Sequence, residues 1–168
     1  MIEMSIASIS VKDVMSKDVK KMSMNGSVKD AIMLMTSSWI SSVIVLNSND
    51  EPIGIFTEKD AIRAVAWNEN ALDTKLYSMM STPLVSVEDT TSLETALNIM
   101  VERGINHLPV IHEGEIVGLI TSRDIVRFIT KNRLLTPEII TESHVEMGKV
   151  HGISEYMKDF GIIGRGSI

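Results

Sequence analysis

The chain contains no cysteine. That excludes a disulfide framework, a thiol nucleophile and a cysteine-ligated zinc site. Aromatic residues are scarce at 4% while methionine numbers 12, so the core has to be built from Ile, Val, Leu and Met. Basic charge is short as well: 16 Lys and Arg stand against 22 Asp and Glu, a formal net charge of -6. General affinity for nucleic acid needs a basic surface and is not expected, although a local basic pocket remains open. No apolar run approaches the roughly 18 residues of a membrane span, and Met1 to Ser10 lacks the basic start of a secretory signal. These readings predict a cytoplasmic protein with no membrane partner. Also missing are a Gly-x-x-x-x-Gly-Lys loop, a Gly-x-Ser-x-Gly elbow and a paired-His zinc signature. His107, His112, His144 and His151 are too scattered for a metal motif, though His144 and His151 can meet Glu142 and Glu146 on one helix. The expectation is no catalysis, no metal and no required cofactor.

What is present is a device written twice. Gly54-Ile55-Phe56-Thr57-Glu58-Lys59-Asp60-Ala61-Ile62-Arg63 is answered by Gly118-Leu119-Ile120-Thr121-Ser122-Arg123-Asp124-Ile125-Val126-Arg127. Each apolar lead-in reads as a strand, and the apolar pairs after each Asp recur at helical spacing. The Thr therefore sits where strand hands over to helix, with unpaired N–H groups and a positive dipole end suited to an anion. A plain helix cap accounts for either copy alone. The repetition, with matching surroundings, argues for a site.

Around the first device the order is β-α-β-β-α. Val11 to Ser16 reads as one helical turn, Val19 to Met22 as a short strand, and Ser27 with Asp30 as a helix start. Val28, Ala31, Ile32 and Met35 then form one apolar face. Val43 to Leu46 and Ile53 to Phe56 are strands, joined by a polar turn from Asn47 to Pro52, and the second helix runs to about Trp67. The order then begins again. Leu84 to Val87 is the matching strand, Thr91 with Glu94 a capping box, and Leu108 to Ile111 the central strand. Equivalent residues lie 65 apart up to the hairpin turn (Met15 and Met80) and 64 apart beyond it (Asp60 and Asp124). Units of about 50 residues are too small to be stable alone, so the two should pack sheet against sheet about a pseudo-twofold axis. The expected division is an N-terminal segment at 1–10, repeats at 11–67 and 77–131, a linker at 68–76, and an extension at 132–168. Met147, Val150, Ile153, Met157 and Phe160 are spaced for part of that extension to be an amphipathic helix.

The doubled Gly-x-x-Thr-x-x-Asp, the Leu108-Pro109-Val110 strand and the Met80-Ser81-Thr82-Pro83 entry resemble a tandem pair of CBS domains, also called a Bateman module. The resemblance covers about Val11 to Thr130. It implies an α+β fold of two CBS repeats with two clefts, frequent pairing of two such modules, and adenosine-containing ligands: AMP, ADP, ATP or S-adenosylmethionine. By that resemblance Asp60 and Asp124 hold ribose hydroxyls, Thr57 and Thr121 touch phosphate or ribose, and Lys59 and Arg123 neutralise phosphate. Ile40, Ser41 and Ser42, and likewise Ile105, Asn106 and His107, flank the ligand, with backbone at Lys20 and Val85 meeting the base edge. Arg63 and Arg127 are expected to pair with the Asp one turn earlier. Two departures stand out: Ile44 replaces the proline of the family strand, and Trp39 occupies the place of Gly104, bulky enough to crowd the first cleft. The cleft of Asp124, with Asn106, Arg123 and a chargeable His107, is expected to bind more tightly. The implied function is a regulatory module sensing an adenosine-containing small molecule as a homodimer. The alternative is an interaction module with empty clefts that regulates a separate enzyme or transporter by contact. Ile32, Met35, Ile125 and Phe128 are the candidate dimer residues.

Overall fold

Helix starts fix the frame of each repeat. Ser27 caps the first long helix by accepting from Asp30 N–H at 3.1 Å, and the Asp30 carboxylate accepts in return from the Ser27 backbone. The equivalent cap in the second repeat is Ser92, which accepts from Thr95 N–H at 3.1 Å, one residue later than the expected Thr91–Glu94 box. The computed structural model describes residues 5–67, 69–132 and 134. Its elements are β1 (Lys21–Ser23), α1 (Val28–Ser38), β2 (Ser42–Leu46), β3 (Pro52–Thr57), α2 (Glu58–Trp67), β4 (Val87–Glu88), α3 (Leu93–Arg103), β5 (His107–His112), β6 (Glu115–Thr121) and α4 (Ser122–Lys131). The chain is α+β, with the β-α-β-β-α order given twice. The extension from residue 135 onward, with its amphipathic spacing and the His144–His151 cluster, lies outside the described residues.

Each repeat forms a three-stranded sheet, β1-β2-β3 or β4-β5-β6, with the first pair parallel and the second antiparallel. The strand expected at Leu84 to Val87 is shorter and later than its counterpart, and Pro109 is the reason. In the first repeat Ile44 donates its N–H to the Lys20 carbonyl at 2.9 Å, and Lys21 pairs with Ile44. Proline has no N–H to give, so the equivalent pairing at Pro109 is missing and β4 begins only at Val87.

The repeats exchange their leading segments. Ser16 bridges to Leu119 of β6, and reciprocally Ser81 bridges to Ile55 of β3. Those residues are related by the same offsets as the repeats themselves, which is the reciprocity a twofold relation requires. One core accordingly combines Ile9 and Val11 with Leu93, Leu108, Val110, Ile120 and Ile125. The other combines Val28, Val43, Val45 and Phe56 with Ala71 and Leu76. The stretch 68–76, expected as a polar linker, thus supplies two core anchors. Close approach at the bridges requires glycine. A Cβ on Gly54 would lie 2.8 Å from the Ser81 carbonyl oxygen, and one on Gly118 would lie 3.0 Å from that of Ser16.

Candidate functional site

The exchange determines what faces the central cavity, a cleft of about 1280 Å³ between the repeats. Lys20, Ile40, Ser41 and Ser42 of the first repeat line it together with Thr121, Arg123 and Asp124 of the second. Asn106 and His107 line it too. The cleft keeps Asp124 with Asn106 and His107 of its own repeat and adds the entry segment of the other one. Thr57, Lys59, Asp60, Val85 and Ile105 are not among the lining residues. Val85 and Ile105 are partly buried against the second-repeat core. Ile44 and Leu119 add apolar wall, and Ile32, Met35, Ile62, Val65 and Ala66 of α1 and α2 widen the cleft beyond the usual ligand pocket. None of these was singled out as a site residue, since nothing in their spacing distinguishes cleft wall from core face.

Both Thr-x-x-Asp devices are real helix caps. Thr57 and Thr121 donate their hydroxyl protons to Asp60 and Asp124 at 2.8 and 2.6 Å, and accept from the backbone N–H of the same Asp. A threonine so engaged has no proton left for a ligand, so its role is to orient the carboxylate. The two carboxylates then diverge. Asp60 is 2% exposed, and its second oxygen takes bonds from the Arg63 guanidinium and, at 3.1 Å, from the Ser81 hydroxyl. Oδ1 of Asp124 accepts from no described residue. The expected helix ion pair therefore forms at Arg63 but not at Arg127, whose side chain lines the cavity without a carboxylate partner among the described residues.

Electrostatically the cleft is mixed. Arg123 and Arg127 stand beside Lys20, which is lightly held by Asp18 in an exposed pair at 2.8 Å that contributes little stability. Glu58, Asp18 and Asp124 supply negative charge. His107 joins the repeats through a 2.7 Å hydrogen bond between Nε2 and the Ser41 hydroxyl. Burial pushes its imidazole below the ordinary 6.5, with the carboxylates of Glu58 and Asp124 opposing that shift. That lowering works against the positive charge that His107 is expected to offer a ligand, while the Ser41 bond gives it a bridging role between the repeats. Trp39 also departs from expectation. It caps α1 in the left-handed conformation (φ 56°), as Gly104 does for α3 (φ 62°), and is 95% exposed on the rim. It leaves the cleft open, and the cleft it borders is that of Asp124. Among the described residues no group of three or more His, Asp and Glu is placed to hold a metal ion. No described helix is long and apolar enough to cross a membrane.

Two exchanged β-α-β-β-α repeats with a composite polar cleft at their junction define a paired-repeat cleft module. The chain matches the CBS-domain family over residues 11–66 and 76–131. It belongs to that family. It is 34% identical over 122 residues to the uncharacterized protein MK0525 of Methanopyrus kandleri, covering 71% of this chain and 62% of that one. The CBS domain-containing protein YhcV of Bacillus subtilis is 31% identical over 117 residues, covering 69% and 82%. The chain spans less than two thirds of several curated relatives: 62% of MK0525 and 49% of the uncharacterized protein MJ1225 of Methanocaldococcus jannaschii. An uncharacterized conserved protein of Pyrococcus horikoshii superposes with a TM-score of 0.70 at 29% identity, covering 77% of this chain and 98% of that one. The CBS domain pair of protein MJ0100, solved in complex with 5′-methylthioadenosine and S-adenosyl-L-methionine, shares the fold at a TM-score of 0.68 and 22% identity, covering 74% and 98%.

Proposed function

We propose that this chain is a regulatory module that binds one adenosine-containing small molecule in the composite cleft and transmits occupancy by changing how the repeats pack. The observation carrying this reading is the carboxylate of Asp124, which lines the cleft and whose Oδ1 accepts from no described residue. A carboxylate oxygen with free lone pairs suits the hydroxyls of a ribose. Ile40, Ile44 and Leu119 offer an apolar slot for a purine, and Arg123 and Arg127 offer forked donors for phosphate. The known adenosine ligands of the MJ0100 pair support the same ligand class. Because the Ser41–His107 bond crosses from one repeat to the other, a ligand seated against both residues has a direct mechanical link to their relative position. Its effect is limited to its differential affinity for the two arrangements. In this reading the module is a sensor, acting in the cytoplasm on a separate enzyme or transporter. Isothermal titration with AMP, ADP, ATP and S-adenosylmethionine should give saturable heat for at least one of them below millimolar concentration. Heat from none of them refutes the reading.

Self-association belongs to the same proposal, but through different residues from those expected. Met35 and Ile125 are buried in the cores, while Ile32 and Phe128 are partly buried against them. Exposed instead are Met33 and Trp39 at α1, and Ile62, Val65 and Trp67 on α2. A second copy meeting this face would cover it, as exposed apolar patches commonly mark interfaces. Light scattering should report twice the chain mass, and Ile62→Asp should shift it to a monomer; a wild-type monomer throughout would contradict the dimer.

A further inference from the structure

We propose that the chain takes a single adenosine-type ligand, through Asp124, because Arg63 and Ser81 occupy the Asp60 position from within the molecule. This rests on the reading that a cleft carboxylate receives the ribose.

The two devices have the same sequence skeleton, so their difference in bonding is informative. A carboxylate has about four lone-pair sites. At Asp60 all four are engaged: Thr57 N–H at 2.9 Å and Thr57 hydroxyl at 2.8 Å on Oδ2, then Arg63 and the Ser81 hydroxyl on Oδ1. At Asp124 only the Thr121 pair is made, at 3.0 and 2.6 Å, both on Oδ2. The entry serine on that side, Ser16, lines the cavity and makes its backbone bridge to Leu119, yet its hydroxyl leaves Asp124 alone. Arg127 does the same.

A local cause for the asymmetry lies one turn along α2. The Arg63 guanidinium sits over the Trp67 ring, 6.0 Å from its centroid. An aromatic face attracts a cation and restricts it to the Asp60 side of the helix. The position equivalent to Trp67 in α4 is Lys131, a like charge with no ring to offer. Among the described residues Arg127 has no such ring beside it and lines the cavity wall. A ligand ribose arriving at Asp60 would have to displace two existing hydrogen bonds, one of them from the Arg63 guanidinium to a buried carboxylate. At Asp124 it has nothing to displace.

The test is binding stoichiometry by calorimetry and equilibrium dialysis, using whichever of AMP, ADP, ATP and S-adenosylmethionine binds the wild-type protein. One ligand per chain is expected for wild type, markedly weakened binding of that ligand for Asp124→Asn, and two ligands for Arg63→Ala combined with Ser81→Ala. Two ligands on wild type, or one on the double variant, overturns the inference while leaving the ligand class intact. If none of the four binds, the functional reading fails, and a ligand-free measurement still decides the asymmetry. Arg63→Ala should lower the melting temperature by a few degrees, because it removes the charged donor from a buried carboxylate, whereas Arg127→Ala should barely move it. Equal shifts for the two arginines contradict the closed Asp60 position.

Discussion

Asp124→Ala is expected to weaken the adenosine ligand about 100-fold or more, and Asp60→Ala to leave its affinity nearly unchanged. Two hydrogen bonds from ribose hydroxyls to a charged oxygen are worth about 1.5 kcal/mol each or more. Losing about 3 kcal/mol multiplies a dissociation constant by roughly a hundred. Asp60→Ala acts elsewhere: it removes the acceptor shared by Thr57, Arg63 and Ser81, so its cost falls on stability. Asp124→Asn separates the contributions, since an amide oxygen can still accept from Thr121 while the charge is gone. Calorimetric titration of the three variants reads all of this directly. An unchanged affinity in Asp124→Ala, with the protein still folded, would sink the assignment of the cleft.

Leu76→Ala should cost about 2–5 kcal/mol, the range for truncating a fully buried leucine. Leu76 is 0% exposed and stands in the core of Val28, Phe56 and Ala64. By sequence it falls at the entrance to the second repeat; by packing it belongs to the first. Amide hydrogen exchange should therefore lose protection first in α1, β2 and β3, while β5 and β6 hold. Loss concentrated in β5 and β6 would mean that the exchange of leading segments is not what stabilises the fold. A loss of this size is a large part of the 5–15 kcal/mol that holds an ordinary domain together.

The exchange was also the part of the fold that sequence reading could not reach. An offset of 65 or 64 residues says which positions are equivalent, and it led correctly to two β-α-β-β-α units. It is silent on whether Ser16 pairs within its own copy or across to the other, because both arrangements have the same pattern of apolar residues. The site inherits that ambiguity: Lys20, Ser41, Asn106, Arg123 and Asp124 all line one cleft, although the motifs lie in two different repeats. Pro109 carried a legible signal, the missing N–H that shortens β4, and it was read only as a family mark. The difference between Asp60 and Asp124 was harder still. It depends on Trp67 holding Arg63 and on Ser81 arriving from a distant segment, neither of which shows in the motif itself. Periodicity likewise finds the apolar face of a helix, and in α1 and α4 much of that face packs on the chain's own core.

A crystal structure of the protein with the tightest of the four adenosine ligands tests the central claim most directly. The account predicts ribose hydroxyls within hydrogen-bond distance of Asp124 Oδ1, the purine between Ile40 and Leu119, and any phosphate toward Arg123 and Arg127. Asp60 should remain bonded to Arg63 and Ser81. Ribose on Asp60, or a ligand outside the composite cleft, would contradict it.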